Sequence, residues 1–270
     1  MATARLTPKP LPADIRLMNA TAALLAAVAV LALGAAALGW LARQPVFAVA
    51  AIKVEGEVTR NSVSTIRANA LPRLAGNFFT LDLARSKQAF EAVPWVRAAV
   101  VRRIWPNRLA VQLEEHRPAA LWRSGSDSDE ATEKLVNTHG EVFEANLGDV
   151  EDDELPTLQG PEGSSAPMLA MWARLSPLFL PLDARIDALA LSGRGSWRAE
   201  LDTGAEIELG RGTDAELVAR TQRFVATVTQ VISRYERPLV YADLRHGEGY
   251  AVRLKGISTT LTAADKAPKK

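Results

Sequence analysis

Three histidines, one acidic run and one glycine-containing turn are the places where this chain could carry chemistry, and none has the spacing that chemistry needs. His116, His139 and His246 fall at strand ends or in turns. They lack the i, i+4 spacing of a zinc pair and a neighbouring carboxylate motif, so they read as surface histidines. The acidic run from Val150 to Glu154 lacks the alternating oxygen ligands and the glycine of a calcium loop, and reads as a solvated loop. Leu209-Gly210-Arg211-Gly212 lacks the Gly-Lys-Ser/Thr ending of a phosphate loop and reads as a tight turn before a helix. No Gly-x-Ser-x-Gly elbow occurs. There is no cysteine, which excludes disulfides, thiolate nucleophiles and thiolate metal sites. The formal net charge of +1 gives no field suited to nucleic acid. These residues lead us to expect a protein that is not an enzyme and holds no metal or cofactor.

Recognition chemistry is better represented. Between Tyr241 and Leu254, the residues Tyr241, Asp243 and Arg245 alternate with Ala242 and Leu244, so a strand here has one polar-aromatic face and one apolar face. Late strands are often sheet edges, and an open edge accepts a partner strand through main-chain bonds. An arginine such as Arg245 can also hold a partner carboxylate bidentately. The residues alone weigh this equally against an ordinary terminal strand, and do not say which strand is the open edge. A second cluster, Arg102-Arg103 with Trp105-Pro106-Asn107-Arg108, is too narrow for stacking on nucleic acid. It reads as a hairpin turn in which Trp105 packs and the arginines are solvated.

The elements that position these residues begin with an anchor. From Leu17 to Ala42 no residue is charged, and the centre is nearly all Ala, Leu, Val and Gly. A bilayer core of roughly 30 Å needs about 20 apolar residues in a helix, so residues 17–42 are long enough to span. The stretch exceeds the apolar region of a cleaved signal peptide, and Trp40 near its end suits the interface. Arg5, Lys9 and Arg16 outweigh Asp14 in the first 16 residues. By the positive-inside rule this Pro-rich arm is cytoplasmic and the body lies outside the cytoplasm.

Beyond the anchor, Val46 to Glu55 reads as a strand. Asn61-Ser62 caps a helix carrying Val63, Ile66 and Ala70, and Asp82 caps a second helix stopped by Pro94. Trp95 to Arg103 and Arg108 to Glu115 form a hairpin. The order β-α-α-β-β makes one small sheet with two helices. Arg117-Pro118 marks a boundary. Strands are expected at Ala119 to Trp122, Lys134 to Asn137, Glu141 to Phe143, Ile186 to Leu191, Trp197 to Asp202, Glu206 to Leu209, Leu239 to Leu244 and Tyr250 to Leu254. Pro167 to Phe179 and Ala215 to Arg234 have helical spacing. Ser124 to Glu130 and the tail from Gly256 onward are polar. The fold class is therefore α+β: one transmembrane helix, a β-α-α-β-β domain and a β-rich domain with a long helix.

Several stretches carry a resemblance: Ile52-Lys53-Val54-Glu55-Gly56, Gly76-Asn77-Phe78-Phe79, Val93-Pro94-Trp95-Val96, Val101-Arg102-Arg103-Ile104-Trp105-Pro106, Glu115-His116-Arg117-Pro118, Gly140-Glu141-Val142-Phe143, Leu209-Gly210-Arg211-Gly212 and Tyr241-Ala242-Asp243-Leu244-Arg245. In this order behind one anchor, the chain resembles the FtsQ/DivIB family of bacterial cell-division proteins, and the β-α-α-β-β module resembles that family's POTRA domain. The resemblance implies a cytoplasmic arm at 1–16, the span at 17–42, the POTRA-like domain at 46–117, the β domain at 118–255 and a disordered tail at 256–270. It implies a non-enzymatic scaffold of the inner membrane and division septum, with FtsB and FtsL as partners and other division proteins reached through the POTRA-like domain. Arg194, Tyr241, Arg245, His246, Glu248, Gly249, Tyr250 and Leu254 are the partner-binding residues so implied. His116 stands where the family usually has Gln, His246 where Tyr is common and Leu254 where Trp is common. An alternative is a substrate-handling module of outer-membrane assembly, but those domains usually come in tandem before a barrel.

Overall fold

An uncharged run can satisfy its backbone in lipid only by bonding along its own length, and a helix does so. In the computed structural model, which describes residues 12–56, 59–60, 63–124, 133–151, 153–247 and 249–256, this run lies within helix α1, Ala13–Ala42. At 30 residues, α1 is about one turn longer than the uncharged run, because 13–16 continue it with Asp14 in the first turn, where a negative charge suits the helix dipole. None of its residues is buried, and its length and composition are enough to cross a membrane. The expectations for the N-terminal arm, the Asn61-Ser62 cap, the loop from 125 to 130 and the tail beyond Gly256 lie outside the described residues.

The body divides between Glu114 and Glu115. In the first unit, β1 (Ala51–Gly56), α2 (Val63–Ala70), α3 (Leu83–Glu91), β2 (Val96–Ile104) and β3 (Arg108–Glu115) follow in the expected order. The sheet order is β1-β3-β2, with β1 parallel to β3 from Ala51 opposite Arg108 to Gly56 opposite Leu113. Parallel neighbours need a long crossover, and the helices supply it. Ile66, Ala70 and Phe90 from α2 and α3 pack with Val93 against Val96, Ala99, Val111 and Leu113. Asp82 caps α3 as its position suggests, its Oδ1 accepting from the backbone N–H of Ala84 (2.9 Å) and Arg85 (3.2 Å). The strand expected from Val46 is shorter than its β-prone residues suggest. Pro45–Phe47 form a 3-10 turn, and the Phe47 carbonyl is taken by the Phe78 N–H at 2.9 Å. Trp105 also departs from expectation. It is 75% exposed, because the tight turn points it away from the sheet's core.

The second unit holds β4 (Pro118–Ser124), β5 (Lys134–Asn137), β6 (Val142–Phe143), β7 (Thr157–Gly160), α4 (Ser165–Leu175), β8 (Ile186–Leu191), β9 (Trp197–Leu201), β10 (Glu206–Gly210), α5 (Asp214–Tyr235), β11 (Leu239–Asp243) and β12 (Ala251–Leu254). They form one mixed sheet ordered β12-β11-β10-β9-β8-β7-β4-β5-β6. Met168, Met171 and Leu175 of α4 and Leu217, Phe224 and Val228 of α5 join Leu158, Leu189, Ala199, Ile207 and Ala242 from the strands in one core. The helix expected to Phe179 ends at Leu175 and tightens into a 3-10 segment, Ser176–Leu182, where Pro177 has no N–H to give an α-helical bond. Phe179 is nonetheless fully buried. Strand β7 is unanticipated: its four residues are too few to show a period. Thr213 caps α5 in a reciprocal box with Glu216, whose carboxylate accepts from the Thr213 N–H at 2.8 Å.

His116 is not the free surface histidine its spacing suggests. Its ring stacks on Phe143 with centroids 4.0 Å apart, and Nδ1 lies 2.9 Å from the Asn137 side-chain amide. Asn137 is fully buried at the β5–β6 turn. Its Oδ1 accepts from the His139 and Glu141 N–H groups, each at 2.9 Å, and its Nδ2 donates to the Glu141 carboxylate at 2.6 Å. Asn137→Ala is expected to leave two partly buried backbone donors without their acceptor. It should lower stability by on the order of 2 kcal/mol, read as an earlier midpoint in urea unfolding of the chain in detergent.

Candidate functional site

Among the described residues β12 pairs with β11 alone and ends the sheet order, so one side of it carries no strand. The opposite edge, β6, is only two residues long. The antiparallel register sets Tyr241 opposite Arg253, Ala242 opposite Val252 and Asp243 opposite Ala251. Because side chains alternate across a sheet, one face carries the row Ala199, Ile207, Ala242, Val252, which packs into the core. The other face carries Glu206, Tyr241 and Arg253 in one row and Arg198, Glu208 and Asp243 in the next. On that face the Arg253 guanidinium lies over the Tyr241 ring, 5.5 Å from its centre, and Arg198 Nε donates to Glu208 at 2.7 Å.

The corner after β11 is held by charge. Arg245 donates to Asp243 through Nε (2.9 Å), Nη2 (2.6 Å) and its own backbone N–H (3.0 Å). Asp243 is only 8% exposed. The Arg245 hydrogen bonds hold its carboxyl down at about 2, against the opposing effect of burial. The guanidinium is in turn raised above its ordinary value, chiefly by its bond to Asp243. The stem of Arg245 crosses Gly210, where φ is +80° and a Cβ would come within 2.8 Å of the Arg245 Cγ. Only glycine admits both the backbone and the crossing arginine. Arg220 of α5 donates into the same turn, to the carbonyls of Leu209 and Arg211. The turn before α5 is thus a seat for Arg245.

β10 and β11 run parallel, while β9 and β12 run against them and β8 against β9. The end of the sheet where β10 and β11 finish is therefore where β8 finishes and where β9 and β12 begin. Arg194, in the β8–β9 turn, lies at this end together with Arg211, Arg245, His246, Gly249 and Tyr250. Arg194, Arg245, His246 and Gly249 are exposed. A trough of about 620 Å³ with mixed polar and apolar lining adjoins the same turn, Ser192, Ser196, Arg198 and Glu208 facing it beside Ala190 and Leu191. Two other residues face inward. Tyr250 bonds through its hydroxyl to Thr227 of α5 (2.8 Å) and meets Phe224 edge-on at 5.0 Å. Leu254 is 5% exposed in the core, opposite Leu239. Glu248 lies outside the described residues.

Sequence reasoning missed Asp243 as the holder of Arg245 and Arg253 as the cover of Tyr241. The i, i+2 spacing of Asp243 and Arg245 on one strand face was a signal for the first. The second needs the strand register. Among the described residues there is no group of three or more side chains able to hold a metal ion.

Two family models match the chain. The FtsQ-type POTRA domain covers residues 47–116, and the C-terminal region of cell division protein FtsQ/DivIB covers 120–245. Among relatives, the cell division protein FtsQ of Burkholderia pseudomallei is 41% identical over 95% of this chain and 99% of its own. That of Thiomonas arsenitoxydans is 39% identical over 93% and 91%, and that of Bordetella pertussis 42% identical over 89% and 92%.

A carboxylate whose folded pKa is lowered stabilises the fold fully above its unfolded value of about 3.9 and loses that contribution as pH falls through the folded one. The Asp243–Arg245 clasp should therefore persist through mild acid and open only near pH 2. Titration of the Asp243 Cγ resonance by NMR should show a midpoint at about 2, moving up to about 3.9 or above in Arg245→Ala, where burial is left without the guanidinium to offset it.

Proposed function

The chain belongs to the FtsQ/DivIB family of bacterial cell division proteins, and from that membership we propose that it is a non-enzymatic scaffold of the division machinery. In this reading α1 holds it in the inner membrane, with the arm in the cytoplasm and the body in the periplasm at the division septum. Confinement to the membrane plane raises the effective concentration of other tethered proteins. The POTRA-like domain, residues 46–117, engages other division proteins. The β domain, residues 118–255, binds FtsB and through it FtsL, linking early division proteins to those that build the septal wall.

The observation that carries this reading is the one-sided pairing of β12 beside the Asp243–Arg245 corner. A strand of FtsB laid along β12 would take main-chain bonds from its open side. Arg245 would add choice: Asp243 uses its Nε–Nη2 edge, and a guanidinium has five donors, so the end-on Nη1–Nη2 edge remains for a partner carboxylate. Arg194 and His246 extend the same end, and Tyr241 stands on the polar face with Arg253 over it. Gly249 precedes the edge strand, and Glu248 joins these residues as a proposed contact. Tyr250 and Leu254 serve from behind, fixing β12 to α5 and β11.

Arg245→Glu removes the guanidinium and sets a second carboxylate beside Asp243. Titration calorimetry with the periplasmic segment of FtsB should show affinity falling at least about tenfold, or 1.4 kcal/mol. An unchanged affinity, with the variant still folded by circular dichroism, would rule out the edge-strand model.

A further inference from the structure

The first unit carries exposed apolar side chains that neither its core nor the docking edge uses. They gather at the end of the unit next to α1. Asn77 is the hub of the loop there. Its Oδ1 accepts from the Phe79 N–H, the Thr80 N–H and the Thr80 hydroxyl, each at 3.0 Å. Its Nδ2 donates to the carbonyl of Ala42, the last residue of α1, at 2.5 Å. That carbonyl is one of the four that a helix end leaves without a partner. The loop therefore caps the helix at the point where its apolar stretch stops. From this loop Phe78 points inward, and Phe79 points outward at 50% exposure, edge-on to Phe47 at 4.9 Å. Val46 beside it is exposed as well.

The β2–β3 turn stands at the same end. Ala50 N–H, just before β1, donates to the Asn107 carbonyl at 2.9 Å, so the turn sits where the chain arrives from α1. Arg103 ties the turn to the loop by donating to the Leu81 carbonyl at 2.6 Å. Ile104 and Trp105 project from it, and Arg108 follows. Amphipathic aromatics and arginines next to the end of a spanning helix are the composition of a membrane interface. Tryptophan sits at headgroup level, and arginine is attracted to anionic headgroups.

We propose that this end of the first unit rests on the bilayer surface, with Phe79 and Trp105 seated among the lipid headgroups, Arg43 and Arg108 against their phosphates, and Asn77 setting the depth. The inference rests on α1 spanning the bilayer and is independent of the partner-docking reading. A loop hydrogen-bonded to the helix's final carbonyl cannot lie far from the surface that the helix crosses. The apolar patch is thus continuous with the lipid-facing helix, which singles out lipid as its occupant.

The natural chain has no cysteine, so single replacements give unique labelling sites in the full protein. Phe79→Cys, Trp105→Cys and Gln112→Cys, the last toward the far end of the sheet, would each carry a nitroxide. Each would be reconstituted in vesicles of phosphatidylethanolamine and phosphatidylglycerol. Labels at 79 and 105 are expected to favour collision with oxygen over a water-soluble nickel chelate several-fold more than the label at 112. Labels at 79 and 105 that match 112 would overturn the proposal, and would be the result if a protein partner rather than lipid covers the patch. Adding Asn77→Ala to Phe79→Cys should bring label 79 toward the value at 112. No change would overturn the depth-setting role of Asn77.

Discussion

Parallel pairing is the constraint from which most of this architecture follows. Two parallel strands cannot be joined by a tight turn, so each such pair obliges the chain to build a crossover. In the first unit, β1 lies beside β3, and the chain between them supplies α2, α3 and β2, which close the core around Ile66 and Phe90. In the second, β10 lies beside β11, and the crossover is the whole of α5. The helix that must exist for topological reasons then covers the inner face of the strands it joins. β11 then turns back into β12, which ends the sheet order among the described residues.

The polar corner grows out of the same arrangement. Because β10 and β11 finish at one end, the turn leaving β10 and the chain leaving β11 lie side by side. Gly210 leaves room for the Arg245 stem, Arg220 of α5 satisfies the carbonyls of the turn, and Asp243 fixes the guanidinium plane. The charge that could meet a partner is therefore positioned before any partner arrives. Little side-chain entropy remains to be lost when it is used.

Much of this was legible in the residues. The uncharged run declared α1, Asp82 and Thr213 declared the starts of α3 and α5, and the alternation around Val111 and Ala242 declared strands with one buried face. What could not be read depends on contacts distant in sequence. Asn137 looks like an ordinary turn residue until His116 and Glu141 close around it. Trp105 looks like a packing residue until the short turn leaves nothing for it to pack on. β7 has no local signature, since burial between β4 and β8 makes it a strand. For the proposed docking edge, the faces of β11 were visible from alternation, but the inward turn of Tyr250 and the burial of Leu254 follow from α5 standing behind them.

An end strand has half of its main-chain groups bonded to water, and its local stability is correspondingly low. β12 is four residues long, preceded by Gly247 and Gly249, and held from behind mainly by Tyr250 and Leu254. A strand added to its open side would turn it from a margin into an interior member, so guest and host would order each other. Thermodynamic reciprocity would then make β12 a gauge of the proposed assembly: the strand would be at its most rigid, and its most resistant to proteases, only while a partner strand is bound.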